Sequence, residues 1–173
     1  MAISLTLLGT GTPAPLTHRA GSSYLVKSGS TTLMFDCGPG AVRRLLEAGV
    51  SPSEITDLFL THLHYDHCVD YAYLVLSRWD QGVGKIPELR VVAPEPCARM
   101  TEQLVGKEGA FGPDLDARTH HPGSEFIYEM RGGTLPRTPP SPQVTEVSHG
   151  DTVQGEGWTL RVAEVQHCQP QLV

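Results

Sequence analysis

An excess of positive charge, a CxxC pair and an apolar run of membrane-spanning length are all missing from this chain, and each absence removes a class of protein. At a net charge of −6 there is no broad basic surface of the kind that neutralises phosphates along a nucleic acid, so any nucleic-acid substrate is expected to be gripped locally. The four cysteines, Cys37, Cys68, Cys97 and Cys168, have neither paired-ligand nor disulfide-rich spacing, which favours free thiols in a reducing compartment. No Lys or Arg precedes Arg19, and Gly9, Gly11 and Pro13 interrupt the first apolar stretch. Neither a signal peptide nor a membrane anchor is therefore expected, and the expected location is the cytoplasm.

What is present describes a soluble globular protein with many turns: 39% hydrophobic residues, 18% charged residues, 18 glycines and 14 prolines. A length of 173 residues suits one domain with its own core and is short for two. Apolar segments at 3–8, 22–27 and 31–36, separated by glycine-containing turns, predict a meander of short strands. Val42, Leu45 and Leu46 predict an amphipathic helix over 40–48, closed by Gly49, and Ser51-Pro52-Ser53-Glu54 has the pattern of a capping box. A strand at 57–61 follows. From Asp66 onward Val69, Ala72, Tyr73, Leu76 and Trp79 share one helical face, and a strand at 89–93 with a helix at 95–105 continues the β–α alternation. Residues 106–143, rich in Gly and Pro and containing PRTPPSP, have no sustained period and are expected to form a long insertion or lid-like loop in which His120-His121 is solvated. Strands are expected again at 144–147 and 158–166, with HGDTVQGEG turning between them.

Chemistry concentrates in THLHYDH, residues 61–67, on the predicted strand-to-helix turn. In an extended segment side chains at i and i+2 point the same way, so His62 and His64 present two imidazoles on one side and Leu63 faces the other. As the chain enters the helix, Asp66 and His67 offer a carboxylate and a third imidazole nearby. Clustered histidines on an exposed turn would compete for protons and gain nothing in packing, so a metal nest is the reading that accounts for them.

The pattern H-x-H-x-D-H resembles the signature of the metallo-β-lactamase-fold hydrolases, and LLGTGTPAP (7–15), FDCGPG (35–40) and VQHCQP around His167 make the ribonuclease Z-like branch the nearest likeness. The resemblance implies an α/β fold, the αββα four-layer sandwich, with this chain supplying its N-terminal part as a single domain over 1–173. It implies that His62, His64 and His167 hold one zinc, that Asp66 and His67 hold a second, and that Asp66 also handles the proton of the attacking water. Asp36 would steady the metal loop; a turn cap before Gly38 is its plain alternative. The GDT of His149-Gly150-Asp151-Thr152 resembles a later family motif but precedes the His167 element, so Asp151 is excluded as a ligand and His149 is read as a turn residue. The bridging aspartate and last histidine of the family pattern are expected beyond Val173.

The loop GTGTPAP lacks the Lys-Ser/Thr ending of a phosphate-binding loop, and its Pro13 and Pro15 oppose a clean helix start, so it reads as a tight turn near the metal cleft. His18 and Arg19 on that loop are candidates for gripping an anionic substrate. The implied function is a zinc-dependent hydrolase using a metal-activated water on a phosphodiester, with the 3′ end of a tRNA precursor as the RNA case and a homodimer as the assembly. Two alternatives stand beside it: a hydrolase of a small ester, lactone or cyclic phosphodiester, with PRTPPSP as the lid of its pocket, and a non-catalytic zinc-binding scaffold that has lost the second metal site.

Overall fold

A computed structural model describes residues 3–167 and 171–172. Its centre is a six-stranded sheet of β1 (Ile3–Gly9), β2 (Ser23–Ser28), β3 (Thr31–Phe35), β4 (Asp57–Phe59), β5 (Arg90–Ala93) and β6 (Gln143–Glu146), arranged in that spatial order. The first three strands pair antiparallel, as a meander must, and β3 to β6 pair parallel because helices cross over between them. These crossovers are α1 (Ala41–Glu47) with a 3₁₀ turn at Pro52–Glu54, then α2 (Tyr65–Cys68) and α3 (Tyr71–Gly82), then α4 (Cys97–Val105), α5 (Gly112–His120) and α6 (Pro122–Met130). The Ser51 capping box is formed: its side chain accepts from the Ser53 N–H, and Glu54 accepts from the Ser51 N–H.

Strand alternation gives the sheet two apolar faces. Leu8, Leu25, Met34, Leu58, Val91 and Ala93 turn toward the helices and form the main core with Val42, Leu45, Tyr71, Leu74 and Leu115. Leu33, Phe59 and Val92 turn the other way, onto the hairpin of β7 (Thr152–Gly155) and β8 (Trp158–Arg161), where Val153, Trp158, Leu160 and Val162 cover them. That cover stops short of the first strands. Leu5 pairs with Val26 and Leu7 with Tyr24 on the same face, yet Ile3, Leu5 and Leu7 are 58–73% exposed. A final two-stranded pair joins β9 (Glu164–Val165) to β10 (Gln171–Leu172).

Several expectations need correction. Residues 106–143 are not a structureless loop, since α5 and α6 lie within them; Pro113 and Pro122 sit in first helical turns, where a missing N–H costs nothing, and start helices that they seemed to forbid. The helix expected from Asp66 is broken at Val69-Asp70, because the Asp70 N–H donates to the Cys37 carbonyl at 3.0 Å instead of continuing the helical ladder. The break shifts the phase: Tyr71, Ala72, Leu74, Val75 and Arg78 are buried, Leu76 and Trp79 pack half-buried against the core, and Val69 and Tyr73 are exposed. Arg78 hides from a hydropathy reading by being charged; its guanidinium donates to the carbonyls of Ser53 and Pro87. Leu46 is exposed on α1, and the strand expected over 158–166 is two short strands, β8 and β9.

Candidate metal centre

β4 ends at Phe59, and the chain runs on through Leu60 to His64 before α2 begins at Tyr65. Two threads hold this turn in place. The Cys37 N–H donates to the His67 carbonyl at 2.6 Å, and Gly38 lies so close that a Cβ there would collide with the Asp66 carbonyl oxygen. The glycine of FDCGPG is therefore required by close approach. From the other side Asp70 reaches back to α1, its carboxylate accepting from the Val42 N–H at 3.3 Å; α1 has no cap from its own Gly40, which takes a left-handed φ of 85°.

Asp36 is the polar hub beneath the histidines. It is 2% exposed, and its backbone takes φ 57°, a conformation that L residues rarely adopt unless their surroundings impose it. Its carboxylate accepts from the Ser22 hydroxyl at 3.2 Å, from the Thr61 N–H and hydroxyl at 2.9 Å each, and from His67 Nδ1 at 2.6 Å. This is a role well beyond that of a turn cap. Because a carboxylate only accepts, His67 carries its proton on Nδ1 and turns Nε2 outward, where it lies 3.7 Å from Asp66 Oδ2.

The structure brings His62, His64 and His167 together across 103 residues of sequence between the last two. Their ligand atoms all lie within 4.8 Å of one another, and among the described residues no other three His, Cys, Asp or Glu side chains group this way. His62 Nε2 is 3.0 Å from His64 Nδ1, and His167 Nε2 is 3.2 Å from that same atom. Burial, and next the charge of nearby His67, push the His62 pKa down to about 4. The His62 ring faces two other imidazoles, and three imidazole nitrogens this close form a donor set of the kind that holds a transition-metal ion. Asp66, itself buried, and His67 stand beside this group as a carboxylate and an imidazole rather than as a complete second set.

The remaining candidates sort cleanly. Asp151 accepts from the Ser148 N–H, and His149 Nδ1 accepts from the Glu164 N–H, so both belong to turns. His121 caps α6 through the Gly123 N–H, and His120 pairs with Asp116. Cys168 lies outside the described residues. His18 and Arg19 line a cleft beside the histidine turn together with Arg43, Arg44 and Tyr65, and the Tyr65 hydroxyl donates to the Pro13 carbonyl at 3.1 Å. PRTPPSP does not cover the centre. Arg137 is stacked on Trp79 and bonded to Asp80, at the end of α3 remote from the histidines, about 14 Å of helix axis beyond Tyr71. Sequence reasoning passed over Ser22, Thr61 and Asp70, which hold the site; the one local signal for Thr61 is its place directly before His62.

A mixed sheet backed by helices, with histidines gathered at the exit of an inner strand, defines an α/β protein with a candidate metal centre. The Metallo-beta-lactamase superfamily model matches residues 16–173, and the chain belongs to that superfamily. It is similar to the Ribonuclease Z of Mycobacterium sp. (strain KMS), at 36% identity over 166 residues, which cover 95% of this chain and 53% of that protein. The chain thus spans about half the length of the curated relatives that it matches. Among solved structures, the metallo-beta-lactamase fold protein YhfI from Bacillus subtilis aligns with a TM-score of 0.67 and 15% identity, covering 98% of this chain and 56% of that one. Human tRNase Z, short form, aligns with a TM-score of 0.65 and 19% identity, covering 97% and 62%. Likeness at such identity concerns the fold.

Proposed function

We propose that this chain carries the histidine-rich part of a zinc-dependent hydrolase whose substrate is a phosphodiester, with the 3′ end of a tRNA precursor as the RNA case. The observation that carries the reading is the convergence of His62 Nε2, His64 Nδ1 and His167 Nε2 within 4.8 Å. These three would hold one zinc, and Asp66 with His67 would contribute to a second. Zinc bound there supplies Lewis acidity and makes a water acidic enough to attack near neutral pH. The chain's own part is positional and protonic. Asp36 fixes His67 through Nδ1, and Asp66, enclosed and 3.7 Å from His67 Nε2, takes up the proton of the attacking water on its carboxylate. Arg19, in the cleft beside the turn, supplies the cationic grip that a phosphate needs, with the His18 ring beside it as a hydrogen-bonding partner.

Similarity to proteins named Ribonuclease Z supports the phosphodiester. The net charge of −6 favours the second reading, a small ester, lactone or cyclic phosphodiester that asks for no extended basic surface. The test is hydrolysis of a chromogenic phosphodiester, a lactone and a β-lactam by protein whose zinc content has been counted. Phosphodiester turnover that His64→Ala abolishes, with the fold retained, is expected. Turnover of the lactone alone moves the assignment to the small substrate, and no turnover of any by zinc-loaded protein leaves the zinc-binding scaffold and overturns the proposal. Cytoplasmic location is part of the same proposal, supported by three buried free thiols at Cys37, Cys68 and Cys97, and cell fractionation checks it. So is a homodimer, which would cover exposed apolar side chains such as those of β1, and light scattering checks that. No helix among the described residues is long and apolar enough to cross a membrane.

A further inference from the structure

Thr61 makes contacts that a residue serving only to end a strand does not need. Its N–H and its hydroxyl both reach Asp36 Oδ1 at 2.9 Å, the hydroxyl is 3.1 Å from Asp36 Oδ2, and the same hydroxyl is 3.0 Å from His62 Nδ1. The proton count on this chain of atoms has one solution. Asp36 as a carboxylate only accepts, so the single Thr61 hydroxyl proton goes to it. The hydroxyl oxygen then has lone pairs left and no proton to give, so its contact with His62 is made by the His62 Nδ1–H. A neutral imidazole protonated on Nδ1 carries its lone pair on Nε2. Nε2 is the atom that faces His64 at 3.0 Å.

We propose that the Thr61 hydroxyl is a positioning group that relays Asp36 to His62, fixing the Nδ1–H tautomer and the ring plane so that Nε2 is presented to the other two histidines. Asp36 thereby orients both ends of the cluster, His67 directly through Nδ1 at 2.6 Å and His62 through Thr61. The consequence for zinc rests on the metal-site reading above; the tautomer does not. Orienting partners of metal-binding histidines commonly contribute 10–100-fold, in rough terms, to metal affinity. The backbone bond from Thr61 to Asp36 survives any side-chain change, so Thr61→Val removes the relay while leaving the turn anchored.

The test has two independent readouts. Histidine ¹⁵N NMR on chelator-treated protein reads the His62 tautomer: Nδ1–H with bare Nε2 is expected in the wild type and in Thr61→Ser, and a mixture or Nε2–H in Thr61→Val. Competition with a chromogenic chelator reads zinc affinity, expected to fall about 10- to 100-fold in Thr61→Val and to stay near wild type in Thr61→Ser. An Nε2–H tautomer in the wild type overturns the relay without any variant, and so does a Thr61→Val protein that keeps the wild-type tautomer. An expected tautomer change in a protein that binds no zinc at all upholds the relay and removes the metal reading instead.

Discussion

At the scale of single residues, the two imidazoles nearest Asp36 are driven in opposite directions by one pocket. Burial dominates at His62 and, with the charge of His67, lowers its pKa from 6.5 to about 4. At His67 burial also lowers the pKa, but the hydrogen bond to Asp36 and the charges of Asp36 and Asp66 outweigh it, and the net shift is upward. In metal-free protein the two histidines contribute to stability with opposite pH dependence. His67 is protonated more readily folded than unfolded, so its contribution is complete below about 6.5 and is lost as pH rises through its folded value. His62 is protonated less readily folded, so stability is lost as pH falls from about 6.5 toward about 4. In an NMR titration the His67 ring is expected to take up its proton before the His62 ring on acidification, and His62 to do so only near pH 4. A His62 that titrates at its ordinary value removes the account of its enclosure. The donors themselves were legible in the sequence because H-x-H on a strand end and D-H on the next turn are local spacings. Ser22 and Thr61 were not, because a hydroxyl acquires its role from Asp36, which the register of β2, β3 and β4 brings from 14 and 25 residues away.

At the scale of elements, α5 and α6 show what composition conceals. Gly and Pro read as loop, yet the segment is fastened to α3 by ion pairs, a hydrogen bond and a stacked guanidinium. Asp80 near the end of α3 receives Arg137 at 3.0 Å, Arg131 at 3.1 Å and Arg118 at 3.7 Å, while the Trp79 indole N–H donates to the Thr138 carbonyl at 2.7 Å. Arg137 lies over the rings of both Trp79 and Tyr128, with only 5% of its side chain exposed. None of this has a period that a single sequence displays, since the partners lie 51 and 57 residues apart. Asp80→Ala leaves a buried guanidinium without its carboxylate and is expected to cost about 3 kcal/mol in urea unfolding. Zinc affinity is expected to stay unchanged, because the cluster sits at the opposite end of α3 from the histidine turn. A loss of zinc affinity in that variant would tie the insertion to the metal centre and contradict the placement of PRTPPSP away from it.

At the scale of the whole molecule, the sheet is well backed on its helical side and only partly covered on the other. The hairpin of β7 and β8 protects Phe59 and Val92, while Ile3, Leu5 and Leu7 continue the same apolar face into solvent. Little packing therefore holds the segment that carries His167: Glu164, Val165 and the His167 ring are all exposed, and the ring's described contacts are with His62 and His64. An ion held by all three rings would join that segment to the exit of β4 and close a loop of more than a hundred residues, the distance from His64 to His167 being 103. Ligands that bind only the folded state stabilise it by mass action, roughly 2.7 kcal/mol at one hundred times Kd. Zinc is accordingly expected to raise the melting temperature in proportion to the logarithm of its free concentration, and a chelator to reverse the rise. His167→Ala leaves the apolar core untouched, so its metal-free melting temperature is expected to match the wild type while most of the zinc-dependent increment disappears. Calorimetry of both proteins across a zinc series decides it: an undiminished increment in the variant would mean that the segment bearing His167 takes no part in holding the ion.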